Sequence, residues 1–593
     1  MLPNHANSRR PPIHKQLSVK FSYVRALFLL GAGAVLAASA VADGEQRLKQ
    51  ESPPNVDEPD VQPRYQETLG DPPMAAPAWR PVRPHLSPPV FARDGYYSVQ
   101  VNVDEYGGNI PGDAANEPTI AVDPTNPNRM VIGWRQFDNV GSDFRQAGWA
   151  YSRNTGRSWT FPGSLDPGVF RSDPVLDADA EGSFYFYSLT VVDRDYLCDL
   201  FKSADGGVTW IGPIPAYGGD KAWFDIDMTG GIGHGHFYAA WDYAGCCGDN
   251  WFTRSIDGGM TFDYPVPIPE RPMWGVTTVG PDGAVYVAGR RHNTNTQFIV
   301  AKSSTGQDPD APLAFDFAVQ VDLGGDLLYY IGYGPNPGGL LGQVWIAADN
   351  SFGPTHGNLY VLSSVDPPGS DPLDVHFVRS TDGGLTWSAP VRVNDDPPGT
   401  DAWQWFGTLS VAPNGRIDAV WSDTRDSGSE RLSELYHSFS NDGGQTWSEN
   451  VSLSQPFDSW LGWPNQDKLG DYYDMISDEV GVNLAYAATF NGEQDVYFMR
   501  IGDFDCNGNG VPDTDDIDSG FSGDVNGNGI PDECECFGDL DGDNDTDQVD
   551  LGILLGDWGC SGGDCAGDLD GDGDTDQADL GVLLADWGCT AAP

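Results

Sequence analysis

The sequence predicts an all-β protein built as a radially repeated sheet, followed by a small acidic domain with helix-like runs. Three observations predict this. A motif of the form S-x-D-x-G-x-x-W recurs as SRNTGRSW from Ser152, SADGGVTW from Ser203, SIDGGMTF from Ser255, STDGGLTW from Ser380 and SNDGGQTW from Ser440. From Tyr96 to about Arg500 the chain alternates short apolar runs with Gly, Asn, Asp and Pro turns, the texture of strands rather than helices. From Asp503 onward about 25 acidic residues occur with no Lys or Arg.

Residues 1–42 carry Arg9, Arg10, Lys15, Lys20 and Arg25, then an apolar run ending Ala40-Val41-Ala42. This pattern predicts a secretory signal cleaved before Asp43, with an uncleaved anchor as the alternative. No other segment is long and apolar enough to span a bilayer, so the mature protein is expected to be secreted or attached at a cell surface. The net charge of -55 becomes about -60 without the five basic residues of the signal, which excludes nucleic acid as a partner. Residues 43–94, rich in Pro, Glu, Asp and Gln, read as an extended or disordered spacer.

The repeated motif has a physical reading. The Asp carboxylate can accept amides of its own turn, the Gly supplies a positive φ, and the aromatic folds back as a plug. Such a clip every fifty residues or so fits a β-propeller, in which each blade covers its neighbour. The strands leading into the clips end at Ser152, Ser203, Ser255, Ser303, Ser380, Ser440 and Ile501; the fourth clip has lost its Asp, the first has Asn154, and the seventh is missing. Seven such strands predict seven blades, six being the alternative, with Tyr96–Val101 supplying the outer strand that closes the last blade.

The motifs resemble the Asp boxes, or BNR repeats, of the sialidase superfamily of propellers. NEPTIAVDPTNPNRMVIGW (116–134), DKAWFDID (220–227) and the segment from Asp401 through VWSDTRD to Asp426 look like blade openings of secreted BNR-repeat proteins. The resemblance spans residues 110–501 and implies carbohydrate as ligand. A sialidase of this type needs three arginines, a Tyr nucleophile with a Glu, and an Asp acid/base. Its Phe/Tyr-Arg-Ile-Pro motif is absent; FARDG, with Arg93, is the nearest stand-in.

Polar residues nevertheless open the innermost strands. Tyr472, Tyr473, Glu117 and Asp173 are candidate catalytic residues. Arg135, Arg171, Asp220, Lys221, Asp401, Gln404, Arg425 and Asp471 are candidate substrate contacts at one mouth of the channel. The equally weighted alternative is that they bond neighbouring blades and channel water. The propeller, residues 95–502, is thus expected to act on a carbohydrate or glycoconjugate as a sialidase-type hydrolase, or to bind glycan or protein without catalysis. His234-Gly235-His236 reads as a turn rather than a metal pair. Cys198 is expected to bridge Cys246 or Cys247.

The tail follows an EF-hand ligand spacing, with oxygens at positions 1, 3, 5, 9 and 12 of a twelve-residue loop, and predicts Ca2+. One loop offers Asp539, Asp541, Asp543, Asp547 and Asp550; the next offers Asp568, Asp570, Asp572, Asp576 and Asp579; an apolar helix-like run follows each. The paired loops, 536–593, resemble a dockerin, implying a cohesin-like or cell-surface partner; the dockerin contact positions are here Gln548-Val549 and Gln577-Ala578. Upstream, residues 503–535 resemble thrombospondin type 3 calcium repeats. Their ligands would be Asp505, Asn507, Asn509, Asp513 and Asp516, then Asp524, Asn526, Asn528, Asp532 and Glu535, with Cys506–Cys534 as a bridge. In the two dockerin-like halves, Cys536 with Cys560 and Cys565 with Cys589 bracket each copy, which predicts one disulfide within each half.

Overall fold

The chain divides into two units, residues 1–63 and 64–593. The computed structural model describes residues 88–193, 195–524, 529–540, 546–562, 565–569 and 573–589, all within the second. The expected signal and most of the expected spacer lie outside the described residues, as do Asn526, Asn528, Asp541, Asp543, Asp570 and Asp572. No helix among the described residues is long and apolar enough to cross a membrane.

Among the described residues there are seven antiparallel sheets, six with their strands in chain order from the centre outward and the last completed by strands from the other end of the ring's sequence. Numbered as blades one to seven from Ala114, their innermost strands are Ala114–Asp123, Ser172–Ala178, Trp223–Ile226, Thr277–Val279, Trp345–Ala348, Gln404–Val411 and Asp474–Ser477. Each innermost strand touches the next, and the seventh touches the first, so the ring is closed. Closure uses the expected device: Ser98, Val99 and Gln100 pair antiparallel with Met499, Phe498 and Tyr497 of the last blade. The strand Val90–Arg93, expected to belong to the spacer, adds a further edge to that blade. Arg93 there pairs with Glu434 (2.5 Å), on the ring's outer edge rather than at the channel.

The core lies between blades, because each sheet has two apolar faces to bury. The clips staple these faces. In the four clips that keep their Asp, the Ser hydroxyl donates to the Asp (Ser203 to Asp205, 2.8 Å) and accepts the second glycine's amide (Gly207, 2.9 Å), while the Asp takes the Thr amide (Thr209, 2.9 Å); in the first clip Asn154, Gly156 and Ser158 fill the same places. The second glycine, with positive φ, lies against the preceding blade: Gly156 against Phe498, Gly207 against Val131, Gly259 against Leu200, Gly444 against Phe377. A Cβ on Gly444 would overlap the Phe377 ring, whereas the first-position Gly258 faces open space. Gly444→Ala should therefore cost about 2–3 kcal/mol and Gly258→Ala only about 1 kcal/mol, read by urea denaturation.

Inside the ring, short side chains of one innermost strand accept amides of the next. Asp177 takes Ile226 (3.1 Å), Asp225 takes Val279 (2.8 Å), Asp474 takes Ile120 (3.1 Å) and Thr119 takes Leu176 (3.1 Å). A bound amide hydrogen satisfies an edge that would otherwise be buried unpaired.

The tail leaves the ring on the clip side. It contains α1 (Asp513–Ser519), α2 (Gln548–Gly556) and α3 (Gln577–Ala585). Disulfides join Cys506–Cys534, as expected, but also Cys536–Cys589 and Cys560–Cys565, so the expectation of one bridge within each half is corrected. The halves exchange ends. Thr546 of the first loop bonds Gly588 and Cys589 after α3, and Thr575 of the second bonds Gly559 and Cys560 after α2 (2.9–3.1 Å). Each opening cysteine therefore meets the closing cysteine of the other copy. The expected Cys198 bridge is corrected too: Cys246 and Cys247 pair with each other and Cys198 is a buried thiol. Cys198 instead packs against Gly218 and the Gly219 carbonyl, which lie between it and the Cys246 turn.

Candidate functional site

The face of the ring opposite the clips carries the starts of the innermost strands. There Glu117, Asp173 and Lys221 occupy equivalent places in blades one to three, all with left-handed φ of 45–52°. In blades one and two this residue sits in a bulge, which re-aims its side chain from the sheet face into the channel. Such strain is retained where the surrounding structure over-determines it.

The result is a buried ion network. Arg135 contacts Glu117 (3.1 Å) and donates to Asn116 (2.8 Å). Lys468 contacts Glu117 (3.4 Å) and Asp471 (2.5 Å); Lys221 contacts Asp471 (2.8 Å), Asp173 (3.3 Å) and Asp220 (3.3 Å). Burial pushes all four carboxyls up, but Lys221 and its fellow cations outweigh it at Asp173 and Asp471 and hold both well below the usual range. Glu117 is pushed up to about 7, chiefly by burial, and Asp220 well above its ordinary value by burial despite Lys221. Three cations thus face four carboxyls, and burial raises two of them, Asp220 and Glu117. The Asp220 side chain is 28% exposed, so the network meets solvent through this carboxyl.

A segment that sequence reasoning missed seals the network. Residues 322–344, between blades four and five, cross to the loop before the last innermost strand. Leu340 donates its amide to Asp471 (2.8 Å), Asn336 bonds Gly470 and Leu469 (2.8 Å each), Gly338 bonds Asp467 (3.0 Å), and Trp460 donates to Gly334 (3.0 Å). The available signal was length: a connection of this size without strands is uncommon inside a compact domain and is usually functional.

Tyr472 and Tyr473 are sealed beneath. Tyr472 donates to the Pro174 carbonyl (3.1 Å), and burial, then Glu117 and Asp173, drive its pKa well above the ordinary value; Tyr473 bonds Ser422 inside an aromatic cluster. Neither ring reaches solvent, so a sugar would meet Tyr472 or Tyr473, the candidate nucleophile or stacking residues, only after the crossing segment moved. Arg171 lies apart, paired to Asp199 of blade two (2.9 Å) and to Asp166 in the connection from blade one (2.7 Å). Gln404 is buried on Asp423 (3.1 Å). The His234 turn is as expected, with His234 bonded to the Thr229 carbonyl (2.7 Å).

The other two candidates, Asp401 and Arg425, line an open cleft of about 860 Å³ between blades five and six, with Asp396, Asp426 and Glu430. Its aromatic wall is Trp403 and Tyr333, ring centroids 6.0 Å apart; Tyr333 belongs to the crossing segment and is 55% exposed. Arg425 is held by Asp423 (2.8 Å) and Asp395 (2.7 Å) and stacks on Tyr436, so it presents a fixed cation.

In the tail the position-1 carboxylate accepts the position-6 glycine amide in three loops: Asp505 from Gly510 (2.8 Å), Asp524 from Gly529 (3.1 Å) and Asp568 from Gly573 (2.9 Å). Asn507 and Asn509 both turn their amides to Asp516 (3.1 and 2.6 Å). Carboxylate oxygens of Asp574, Asp576 and Asp579 lie within 4.8 Å of one another. Asp547 and Asp576 cap α2 and α3 in capping boxes with Asp550 and Asp579. Asp513 instead takes the Cys506 amide (2.7 Å) and pairs with Arg157 of blade one (3.1 Å).

Burial raises Asp113 to about 8 and Asp177, Asp474 and Asp495 to about 7. Acids whose folded pKa is raised contribute stability that is full below the unfolded value near 4 and lost as pH rises through 7–8. The clip Asp442, at about 2 because its Thr446 and Ser440 bonds outweigh burial, acts the other way, but only as pH falls below 4. The melting temperature should therefore fall between pH 5 and pH 8, measurable by calorimetry.

The fold and its roofed polar mouth define a seven-bladed β-propeller with an acidic helical tail. No protein-family model matches the sequence, and no curated protein matches it. Among solved structures the chain is similar to a protein of unknown function from Dyadobacter fermentans (14% identity, TM-score 0.38, 68% of this chain and 97% of that one). It is also similar to the phage phi92 endosialidase (10%, 0.38, 69% of each chain) and to an ulvan lyase of polysaccharide lyase family PL25 (11%, 0.39, 68% and 96%). Likeness at this level carries nothing about activity.

Proposed function

We propose that the protein is an exported propeller that binds carbohydrate in the cleft between blades five and six and is held to a surface or partner by a calcium-ordered tail. The observation that carries this is the cleft: an exposed Tyr333 ring and the Trp403 wall stand beside a fixed Arg425 and the carboxylates Asp401, Asp426 and Glu430. Apolar faces of sugar rings stack on such walls while their hydroxyls bond the polar rim. Binding without hydrolysis is favoured over the sialidase reading, because the two tyrosines next to the last innermost strand, Tyr472 and Tyr473, are sealed, and the Phe/Tyr-Arg-Ile-Pro motif is absent.

The resemblance of the clips to Asp boxes and of the tail to a dockerin supports this division of labour. The tail donors are all hard oxygens, as Ca2+ requires, and reversing the Asn507 and Asn509 amides would turn their oxygens toward a shared cation. The tail would then present Val549, Leu555, Trp558, Leu584 and Trp587, all exposed, to a cohesin-like or surface protein.

The test is titration of the full chain with neutral oligosaccharides, following heat and released reducing ends together. Tyr333→Ala should weaken binding about tenfold or more with the fold intact. Turnover lost in Asp401→Asn or Glu430→Gln would make the cleft a hydrolase site; no binding to any oligosaccharide would sink the proposal.

A further inference from the structure

Arg290, at the end of blade four's second strand, is 5% exposed, yet among the described residues no carboxylate lies within ion-pairing reach of it. Its Nη1 donates to the carbonyls of Thr294 (3.0 Å) and Arg291 (3.4 Å), and its Nε has no partner. Elsewhere in the ring, the buried arginines Arg135, Arg171 and Arg254 are paired with acids. The nearby Asp242 is committed to Trp274 (2.9 Å) and the Ala244 amide (2.7 Å). A buried guanidinium without a direct ion pair is costly, and the field of Asp242 with stacking on Trp274 (4.0 Å) and Tyr329 (4.8 Å) offsets only part of that cost.

The surroundings are built around this cation. His292 stands between Tyr243 and Trp251 (5.3 and 5.5 Å), its Nδ1 buried without a partner. Tyr243 and Tyr330 are half exposed at the rim. Cys247, Glu270, Arg271, Trp274, Asn293 and Tyr330 all take left-handed φ here, and for Trp and Tyr that conformation is a genuine outlier. The Cys246–Cys247 bond pins the turn that carries Tyr243.

We infer that this side of the mouth, on blades three and four, is a second binding site, for the anionic group of an acidic sugar, with Arg290 as counter-charge and Tyr243 and Tyr330 as ring platforms. The anion enters beside Tyr330 and supplies the direct ion pair that the protein lacks; carboxylates and sulfate esters share the required chemistry. The inference rests on the reading of the propeller as carbohydrate-binding, but not on the cleft at blades five and six.

The test titrates the full chain with a uronic-acid oligosaccharide, a sulfated one and a neutral one of equal length, following tryptophan fluorescence from Trp251 and Trp274. An acidic ligand should bind about tenfold or more tighter than the neutral one, and Arg290→Gln should erase that margin while leaving neutral binding and its dependence on Tyr333 unchanged. Which acidic ligand gains identifies carboxylate or sulfate. If Arg290→Gln fails to fold, Tyr243→Ala, on the surface, must reduce acidic binding instead. Equal binding of acidic and neutral ligands, or an acidic margin untouched by Arg290→Gln or Tyr243→Ala, overturns the inference. In either case neutral binding lost in Tyr333→Ala would leave the cleft standing. A purely structural role for Arg290 would lower the melting temperature without changing anion discrimination.

Discussion

Lys221→Met is expected to lower stability by about 3–5 kcal/mol at pH 8, the range for removing one partner of a buried ion pair. Lys221 is the hub of the channel network: its ammonium contacts Asp471, Asp173 and Asp220 at 2.8–3.3 Å and is 4% exposed. Its loss leaves Asp173 and Asp220 without their ammonium and Asp471 with Lys468 alone. Asp173 and Asp471, now held low by Lys221 against burial, would then rise. The variant's folded state would take up protons that its unfolded state releases, so its stability recovers as pH falls from 8 toward 5 and the gap to wild type narrows. Urea denaturation at the two pH values measures both effects. A loss below about 1 kcal/mol at pH 8 would mean that water enters beneath the crossing segment and screens the network, making it a ligand pocket rather than a sealed brace.

The blade count, the clips and the closing strand were legible because each follows from a local rule. The spacing of Ser, Asp and Gly in a clip reports one turn, and a missing outer strand in the last blade must be supplied from the other end of the chain. The mouth was legible only by residue type. Glu117, Asp173, Lys221, Arg135 and Asp471 do meet there, because residues at the same point of successive innermost strands face the same axis. Their burial was not legible, since it depends on residues 322–344 crossing to Asn336's partners more than a hundred positions away. Arg290 was invisible for a related reason: what marks it is the lack of an acid nearby, a property of three dimensions. The tail disulfides failed on symmetry. Two near-identical halves present the same cysteine spacing whether bridges form within a copy or between copies, and only the exchange of ends around Thr546 and Thr575 decides.

Calcium removal should have the largest effect on the tail while sparing the ring's own strands. The tail holds about 25 carboxylates and no Lys or Arg, so without cations its loops repel one another, and three disulfides limit but do not prevent their opening. Each site filled at a hundredfold excess over its dissociation constant stabilises the folded tail by about 2.7 kcal/mol. Chelation is expected to reduce helical circular dichroism from α2 and α3 and to enlarge the radius of gyration in solution scattering; neither signal changing between chelator and calcium would refute the site. The first loop carries the effect into the propeller. Arg157, in the first clip, pairs with Asp513 and stacks on Phe504 (4.1 Å), Asn128 of blade one donates to the Cys506 carbonyl (2.8 Å), and Arg500 of blade seven bonds the Asp503 carbonyl. That loop therefore straddles the seam where the last blade meets the first. Calcium should raise the propeller's melting temperature as well as the tail's, and Arg157→Ala should weaken the coupling while leaving calcium uptake by the two helix-preceding loops unchanged. A propeller transition indifferent to calcium in the wild type would show that the loop rests on the seam without bracing it.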